Sequence, residues 1–211
     1  MQVFKELEQR SQEWYELRLG TITCSKAKGI LKPSYISIAD LIASEIMTGQ
    51  EDEVYVNDSM QWGIDNEYPA KQAYARETFT EGYDVGFCKS ESKEYLGLSP
   101  DWLIGETKAL EIKCPKSKTH IRYIREDVLP KEYLEQVVHY FVVHDQLKEL
   151  DFVSYDPRNK VKSLWIKTVK REDLSKEIEK ASNRYDEIWN EVKRILTINE
   201  KSDGKFKSKG D

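Results

Sequence analysis

The order of strand-like and helix-like segments is the feature that most constrains the fold of this chain. Short apolar runs rich in β-branched and aromatic residues are typical of strands, and apolar residues three or four apart are typical of helices. The strand pattern occurs at residues 85–89, 95–98, 102–104, 110–114, 150–155 and 163–168. The helix pattern occurs at residues 11–17, 25–31, 36–47, 59–79, 120–125, 130–143 and 172–196. Helices that precede, interrupt and follow the strands predict an α/β (α+β) fold, with a central mixed β-sheet flanked by helices.

The chain is predicted to form a single domain over residues 1–198, followed by a flexible Lys-rich tail at residues 199–211. Its 211 residues suffice for one substantial core, and no repeat or Pro/Gly-rich linker divides them. The first residues lack the basic and apolar segments of a signal peptide, and no apolar run is long enough to cross a bilayer. Three widely separated cysteines, Cys24, Cys88 and Cys114, predict a reducing, cytoplasmic setting without a disulfide framework.

The charge of the chain is unevenly distributed. The formal net charge of −5 argues weakly against a nucleic-acid partner. Residues 113–125, however, contain no Asp or Glu and five basic residues: Lys113, Lys116, Lys118, Arg122 and Arg125. A protein that holds DNA against one basic face would have this pattern, and so would a protein whose surface is merely uneven in charge.

Two segments in the middle of the chain carry the candidate chemistry, Ser-Pro-Asp at residues 99–101 and Glu-Ile-Lys at residues 111–113. Side chains alternate between the two faces of a strand, so Glu111 and Lys113 are expected on the face opposite Ile112. Asp101 lies at the edge of the preceding predicted strand, one hairpin turn away. If the two strands pair, Asp101 and Glu111 become neighbours.

Two converging carboxylates predict a site for Mg²⁺, for which Mn²⁺ is expected to substitute. Magnesium prefers oxygen ligands and takes few of them from a protein. Such a metal polarises a phosphodiester and lowers the pKa of a bound water. Lys113 would orient that water or stabilise the charge that develops on phosphorus. An ordinary surface hairpin with a Glu–Lys pair has the same short pattern, so the pattern alone leaves both interpretations open.

Two of the predicted helices carry further candidate residues. Glu67 lies on a mainly apolar face, where a carboxylate needs a partner; a metal would serve, and so would Lys71 one turn later. Gln136 and Tyr140 stand four residues apart on one face of their helix. They would contact a nucleotide, hold the site in place, or simply flank the helix. The three histidines have no spacing typical of a zinc site.

Five segments, in order, resemble the lambda-exonuclease/YqaJ-like viral recombinase family of PD-(D/E)XK nucleases. They are residues 14–25, Trp-Gly at 62–63 followed by Glu67, residues 99–101 with 110–115, Gln136 with Tyr140, and residues 155–158. Together they span roughly residues 14–158, and an ordered set is far more specific than any one of its members. The resemblance implies a restriction-endonuclease-like core.

The resemblance also implies roles for individual residues. Asp101, Glu111 and the backbone carbonyl of Ile112 would bind the metal, and Glu67 would complete the acidic site directly or through water. Lys113 would position or activate the attacking water. Gln136 and Tyr140 would support the site or contact the substrate.

A pocket for a terminal 5′-phosphate is implied as well. It would be lined by Arg18, Ser25 and Ser99, with Tyr140 among the residues that contact DNA. Arginine suits a phosphate because its planar guanidinium donates two parallel hydrogen bonds. Many relatives have Gly after the motif aspartate, where this chain has Trp102. We expect Trp102 to pack beneath the sheet; stacking on a terminal base is the alternative.

The implied activity is that of a magnesium-dependent exonuclease on linear double-stranded DNA. It would degrade one strand 5′ to 3′ and leave 3′ single-stranded overhangs for recombination by strand annealing. Further implications are a homotrimeric ring around the DNA, a single-strand annealing protein as partner and no membrane association. A phage-encoded member would act in the host cytoplasm.

Three other functions fit parts of the sequence less completely. A Cas4-like or other structure-selective endonuclease would share the fold, but Cas4-like proteins usually carry four cysteines for an iron–sulfur cluster. A catalytically silent DNA-binding module has no physical need for Glu67, Asp101, Glu111 and Lys113 together. A structural α/β protein with a chance motif does not account for five ordered segments.

Overall fold

The computed structural model describes residues 1–51 and 57–207, with side chains described as far as Ile198. The strands are β1 (Gln2–Phe4), β2 (Phe87–Lys89), β3 (Gly97–Leu98), β4 (Trp102–Ile104), β5 (Lys108–Lys113), β6 (Glu149–Tyr155) and β7 (Leu164–Lys170). The α-helices are α1 (Gln12–Arg18), α2 (Ile38–Thr48), α3 (Asp58–Thr78), α4 (Ser117–Glu126), α5 (Leu134–Val143) and α6 (Ser175–Lys207). None of these helices is long and apolar enough to cross a membrane.

The larger sheet has the strand order β4-β5-β6-β7 and is mixed. Strands β5 and β6 are parallel, with Glu111 opposite Phe152, whereas β4 and β7 pair antiparallel to their neighbours. Parallel strands need a long crossover, and α4 and α5 provide it between β5 and β6. The predicted mixed sheet with flanking helices is therefore confirmed.

A second, smaller sheet was not predicted. It is antiparallel, with the order β1-β2-β3, and it takes the first two predicted strands out of the central sheet. Strand β1 has only three residues, too few for a detectable alternation of apolar and polar side chains. The sequence therefore predicted the strand segments better than their division between sheets.

Both faces of the larger sheet are covered, which determines where the chemistry of β5 is displayed. Leu110 and Ile112 pack in one cluster with Ala70 and Tyr74 of α3. Residues of α5 and α6 belong to the main core cluster, together with Ala109 of the same strand. The predicted alternation along β5 is thus confirmed. Because helices cover both sides, Glu111 is buried rather than displayed on an open surface.

The helix predicted at residues 25–31 is wrong. The segment forms a series of turns, and Gly29 has a φ of 100°, outside the helical region. Glu135 of α5 accepts hydrogen bonds from the backbone N–H groups of Gly29 at 2.7 Å and Leu31 at 3.0 Å. A side chain more than a hundred positions away therefore fixes this segment, and local propensity does not reveal it.

The last helix is longer than the sequence predicted. Its predicted end was at residue 196, but α6 continues to Lys207, and no proline interrupts the added residues. Residues 208–211 of the predicted tail lie outside the described residues. The division into a domain over 1–198 and a tail over 199–211 stays a prediction.

His139 of α5 links three elements in the core. One ring nitrogen contacts the hydroxyl of Tyr185 in α6 at 2.7 Å, and the other contacts the carbonyl of Gly97 in β3 at 2.9 Å. Burial lowers the pKa of His139 to about 4, so the ring is neutral. Its Nε2–H donates to the carbonyl, and Nδ1 accepts from the tyrosine. The protein therefore engages both ring nitrogens.

Candidate active site

Asp101 and Glu111 are brought together by the antiparallel pairing of β4 and β5. The register pairs Trp102 with Leu110, so Asp101, just before β4, lies beside Glu111. The backbone N–H of Ile112 donates a hydrogen bond to Asp101 Oδ2 at 2.5 Å. The strand pairing on which the predicted carboxylate pair depended is therefore confirmed.

Glu111 is held by two contacts and is only 2% exposed. Its Oε1 forms an ion pair with the Nζ of Lys113, which lies on the same face of β5. Its Oε2 accepts a hydrogen bond of 2.7 Å from the hydroxyl of Tyr140 in α5. Tyr140 thus takes the supporting role that was considered for it, and its contact with DNA stays a prediction. The two contacts fix the orientation of the buried carboxylate.

The electrostatic environment disfavours the charged form of Asp101 and favours the charged form of Lys113. Burial raises the pKa of Asp101 well above its ordinary value, and the negative charges of Glu111 and Glu67 raise it further. Burial lowers the pKa of Lys113, but attraction to Glu111 and Asp101 outweighs that effect, and the net shift is upward. Lys113 is therefore a charged ammonium in this arrangement. Such a group favours stabilisation of negative charge over proton abstraction.

Glu67 of α3 has the alternative partner that the sequence suggested. Lys71, one turn later, donates to Glu67 Oε1 at 2.7 Å and to Asp84 Oδ1 at 2.8 Å. The charge of Glu67 nevertheless raises the pKa values of Asp101 and Cys114, so it acts on the same site. A cleft of about 370 Å³ opens beside it, between α3 and the N-terminal segment.

The donor set suits a divalent cation that takes few protein ligands. Within residues 1–51 and 57–207, no three His, Cys, Asp or Glu side chains form a ready-made metal cluster. Asp101, Glu111 and the Ile112 carbonyl supply only oxygen donors, and Mg²⁺ commonly uses one or two carboxylates and keeps several waters. Burial and the charges of Glu111 and Glu67 together raise the pKa of Asp101, although Lys113 lowers it, so the charged carboxylate is disfavoured. An added cation would relieve this imbalance.

Arg18 and Ser99, two predicted phosphate ligands, meet through Trp14. The guanidinium of Arg18 stacks on the Trp14 ring at 4.0 Å, and the indole N–H donates to Ser99 Oγ at 3.0 Å. Arg18 Nε is buried, lies 3.7 Å from a carboxylate oxygen of Glu51 and has no hydrogen-bond partner among the described residues. The third predicted ligand, Ser25, shares a hydrogen bond of 3.2 Å with Thr23. Sequence reasoning did not identify Trp14 as the connecting side chain.

Cys24 interacts electrostatically with this arginine and with the carboxylates. Burial raises the pKa of its thiol well above the ordinary value, and Glu111 raises it further, whereas Lys113 and Arg18 lower it. Residues from both groups of predicted ligands, those for the metal and those for the phosphate, therefore shift the pKa of this thiol. Gln136, one turn before Tyr140 on α5, is partly buried and forms no side-chain hydrogen bond within the described part of the chain.

A buried ion pair that the sequence did not predict holds the backbone around Arg18. Lys26 Nζ donates to Glu45 Oε2 at 2.7 Å and to the Arg18 carbonyl at 3.2 Å. The same Glu45 oxygen accepts the N–H of Gly20 at 3.0 Å. A glutamate between the apolar residues of α2 was the available signal, because a buried carboxylate requires a partner.

Comparisons with known proteins identify the family and the fold of the chain. Residues 13–146, well over half of the chain, match the family model described as the YqaJ-like viral recombinase domain. No curated protein matches the chain.

Solved structures resemble the chain over most of its length. The alkaline exonuclease LHK-Exo from Laribacter hongkongensis is 28% identical, with a TM-score of 0.77 over 90% of this chain and 99% of that one. The same enzyme in complex with dAMP gives a TM-score of 0.78. A phage-related exonuclease from Haemophilus somnus shares the fold, with 13% identity and a TM-score of 0.54 over 84% of this chain and 95% of that one. The chain belongs to the YqaJ-like viral recombinase family of PD-(D/E)XK nucleases.

Proposed function

We propose that this protein is a magnesium-dependent exonuclease that degrades one strand of linear double-stranded DNA from its 5′ end. Its product would be a duplex with a 3′ single-stranded overhang, suited to recombination by strand annealing. The observation that carries the proposal is the trio of Asp101, Glu111 and Lys113, in which buried Glu111 pairs with Lys113 and Asp101 accepts the backbone N–H of Ile112 between them. Two carboxylates beside one ammonium, with the pKa of Asp101 raised, form the kind of perturbed cluster that is typical of functional sites. The similarity to alkaline exonucleases supports nuclease chemistry.

The two carboxylates and the ammonium of the trio have different roles in this proposal. Asp101, Glu111 and the Ile112 carbonyl would hold Mg²⁺, with Mn²⁺ as a substitute. The bound metal would polarise the scissile phosphate and lower the pKa of a water ligand. Tyr140 keeps Glu111 in one orientation through its hydrogen bond of 2.7 Å. Lys113 carries a positive charge and stabilises the negative charge that develops at phosphorus.

Glu67 and Gln136 complete the site at its edges. Glu67 adds negative charge close enough to act on Asp101. Lys71, the partner of Glu67, also donates to Asp84. Glu67 can therefore leave Lys71 and turn towards the metal without leaving Lys71 unpaired. The side-chain amide of Gln136 has no hydrogen-bond partner among the described residues and is available to a nucleotide.

The end of the DNA would be recognised by Arg18, Ser25 and Ser99. A buried guanidinium with an unused N–H is the expected state of a phosphate ligand before its ligand arrives. Trp14 sets the position of Arg18 by stacking and that of Ser99 by a hydrogen bond. A terminal phosphate would therefore align the first phosphodiester with the carboxylates. A homotrimer and an annealing protein as partner complete the proposal.

End-labelled DNA tests the proposal. Linear duplexes labelled separately at each 5′ and 3′ end are incubated with the protein and Mg²⁺, Mn²⁺ or EDTA. We expect early release of the 5′ label with either metal and no release in EDTA. The 3′ label should remain until much of the strand has been degraded. Closed circular DNA is the control for internal cleavage and should stay intact.

Other outcomes would contradict specific parts of the proposal. Early release of the 3′ label would show that degradation starts at the 3′ end rather than the 5′ end. Cleavage of closed circles would indicate a structure-selective endonuclease on the same fold. Failure to cleave any end with either metal would contradict the nuclease and leave a DNA-binding module.

A further inference from the structure

A basic surface lies next to the candidate active site. It consists of the start of α4 and the turn between β6 and β7, and its outer residues are Lys116, Lys118, Lys160 and Lys162. All four side chains are exposed. We call it the α4–β7 basic surface. It includes part of the basic run that the sequence analysis singled out.

The two segments of this surface are fixed against each other. His120 of α4 is fully buried and contacts the carbonyl of Lys162 at 2.8 Å and Ser154 Oγ of β6 at 2.7 Å. Arg158 donates to the carbonyl of Pro115 at 3.1 Å. The side chain of Asn159 accepts the backbone N–H groups of residues 161 and 162, which fixes the turn. The lysines therefore project from a rigid support.

The charge of this surface opposes that of the whole chain. Residues 114–127 and 156–167 contain eight Lys and Arg against three Asp and Glu, a net charge of +5 in a chain of −5. Each nearby carboxylate already has a partner: Asp156 pairs with Arg158, Asp127 with Lys167, and Glu126 with Arg125. Within the described residues, none of the four lysines forms an ion pair. Their positive charge remains available to a polyanion.

The surface also begins where the candidate active site ends. Lys113 and Ser154 pair at the ends of the parallel strands β5 and β6, so the segments that follow both strands leave the sheet side by side. Lys116 is three residues beyond Lys113, which limits their backbone separation to about 11 Å. A polyanion bound in the active site would therefore extend onto these lysines.

We propose that the α4–β7 basic surface binds the phosphate backbone of duplex DNA next to the end being degraded. This inference rests on the proposed function. Flexible lysines suit phosphate contacts that carry no sequence information, as an enzyme acting on any DNA end requires. A protein partner fits less well, because lysine is depleted at the centres of protein–protein interfaces.

Salt-dependent DNA binding by two matched variants tests the inference. The first is Lys118→Ala/Lys160→Ala/Lys162→Ala. It retains Lys116, because that residue is the N-cap of α4. The control is Lys148→Ala/Lys176→Ala/Lys193→Ala, which removes three charges from other exposed positions. Binding of labelled linear duplex is measured in EDTA over a range of salt concentrations, and thermal melting confirms that both variants fold.

We expect the first variant to lose about two to three units from the slope of log K against log salt, since each phosphate contact contributes about 0.9. Its Kd at moderate salt should rise at least about tenfold. The control should match the wild type. A Lys160→Ala/Lys162→Ala double variant should lose a slope of about 2 and serves if the triple variant does not fold.

An unchanged slope in the first variant, or an equal loss in the control, would overturn the inference. Cleavage of end-labelled DNA by the wild type separates this result from failure of the proposed function. If the wild type cleaves and the slope is unchanged, only the surface is wrongly assigned. If the wild type neither cleaves nor binds DNA, both proposals fail.

Discussion

At the scale of single residues, Asp101 and Asp151 illustrate two ways of placing an aspartate inside this protein. Asp151 is buried, and its oxygens accept hydrogen bonds from Tyr74 and Thr168 at 2.6 Å each. Lys108 adds an ion pair at 2.7 Å. Asp101 accepts one hydrogen bond, from the backbone N–H of Ile112, and burial together with the charges of Glu111 and Glu67 raises its pKa. We therefore expect Asp151 to stabilise the fold and the charged form of Asp101 to lower the stability.

This contrast predicts opposite effects of one substitution. In the absence of metal, Asp101→Asn should raise the free energy of unfolding by about 0.5–2 kcal/mol, because it removes an unfavourable buried charge. Asp151→Asn, the matched control, should lower it by about 1–3 kcal/mol, because the amide nitrogen cannot accept one of the hydrogen bonds that Tyr74 and Thr168 donate. Urea unfolding in EDTA measures both changes. Loss of stability in Asp101→Asn comparable to that of the control would contradict the interpretation.

The proposed role of Asp101 in metal binding predicts how Mg²⁺ changes the melting temperature. Mg²⁺ should raise the melting temperature of the wild type, because a ligand that binds only the folded state stabilises it. Asp101→Asn should abolish that increase whether or not the variant cleaves DNA. An undiminished increase would place the metal elsewhere.

At the scale of elements, the segment between α1 and α2 depends on side chains that belong to other parts of the chain. Lys26 and Glu45 hold the backbone at Arg18 and Gly20, and Glu135 holds the turns around Gly29. This segment contains Ser25, and its N-terminal end follows Arg18. The position of the proposed phosphate pocket is therefore determined by a buried ion pair and by α5.

Lys26→Met tests this dependence. The variant leaves Glu45 without its ammonium and frees the Arg18 carbonyl, so Arg18 should shift relative to the carboxylates. We expect the KM for 5′-phosphorylated DNA to rise roughly tenfold to a hundredfold, with a smaller change in kcat and in the KM for 5′-hydroxyl ends.

Two control variants frame that experiment. Lys28→Met changes an exposed lysine of the same segment and should behave as the wild type. Lys26→Arg retains the charge, so it should keep more of the preference for phosphorylated ends than Lys26→Met does. An equal rise in KM for both kinds of end would contradict a role in phosphate recognition.

The contrast between these elements explains which features the sequence predicted. The pairing of Asp101 with Glu111 was predictable, because alternation within a strand and a short hairpin are local properties. The contacts Lys26–Glu45, Trp14–Ser99 and Glu135–Gly29 join residues 19, 85 and 106 positions apart. Local periodicity carries no information about such contacts. The failed helix at residues 25–31 and the unpredicted smaller sheet have the same cause.

At the scale of the whole molecule, the fold places its charges according to the proposed task. The carboxylates that we propose bear the chemistry lie on β5 and just before β4, between α3 and α5. The four lysines, which form no ion pair with the described residues, lie past the ends of β5 and β6. An acidic chain with one basic surface would be attracted to DNA at that surface and repelled elsewhere. This arrangement suits the proposed homotrimeric ring around DNA, which stays a prediction.

The most direct test of the account is the single-turnover rate of cleavage by Lys113→Met, compared with the wild type and with Lys148→Met. The substrate is linear duplex DNA with a 5′-phosphate, in saturating Mg²⁺, and DNA affinity is measured separately in EDTA. Loss of the ammonium beside Glu111 should slow cleavage by about 100-fold or more while DNA affinity changes little. Lys148→Met, which alters an exposed lysine remote in sequence from the trio, should cleave at the wild-type rate. Cleavage by Lys113→Met at the wild-type rate would show that the trio of Asp101, Glu111 and Lys113 is not the catalytic centre.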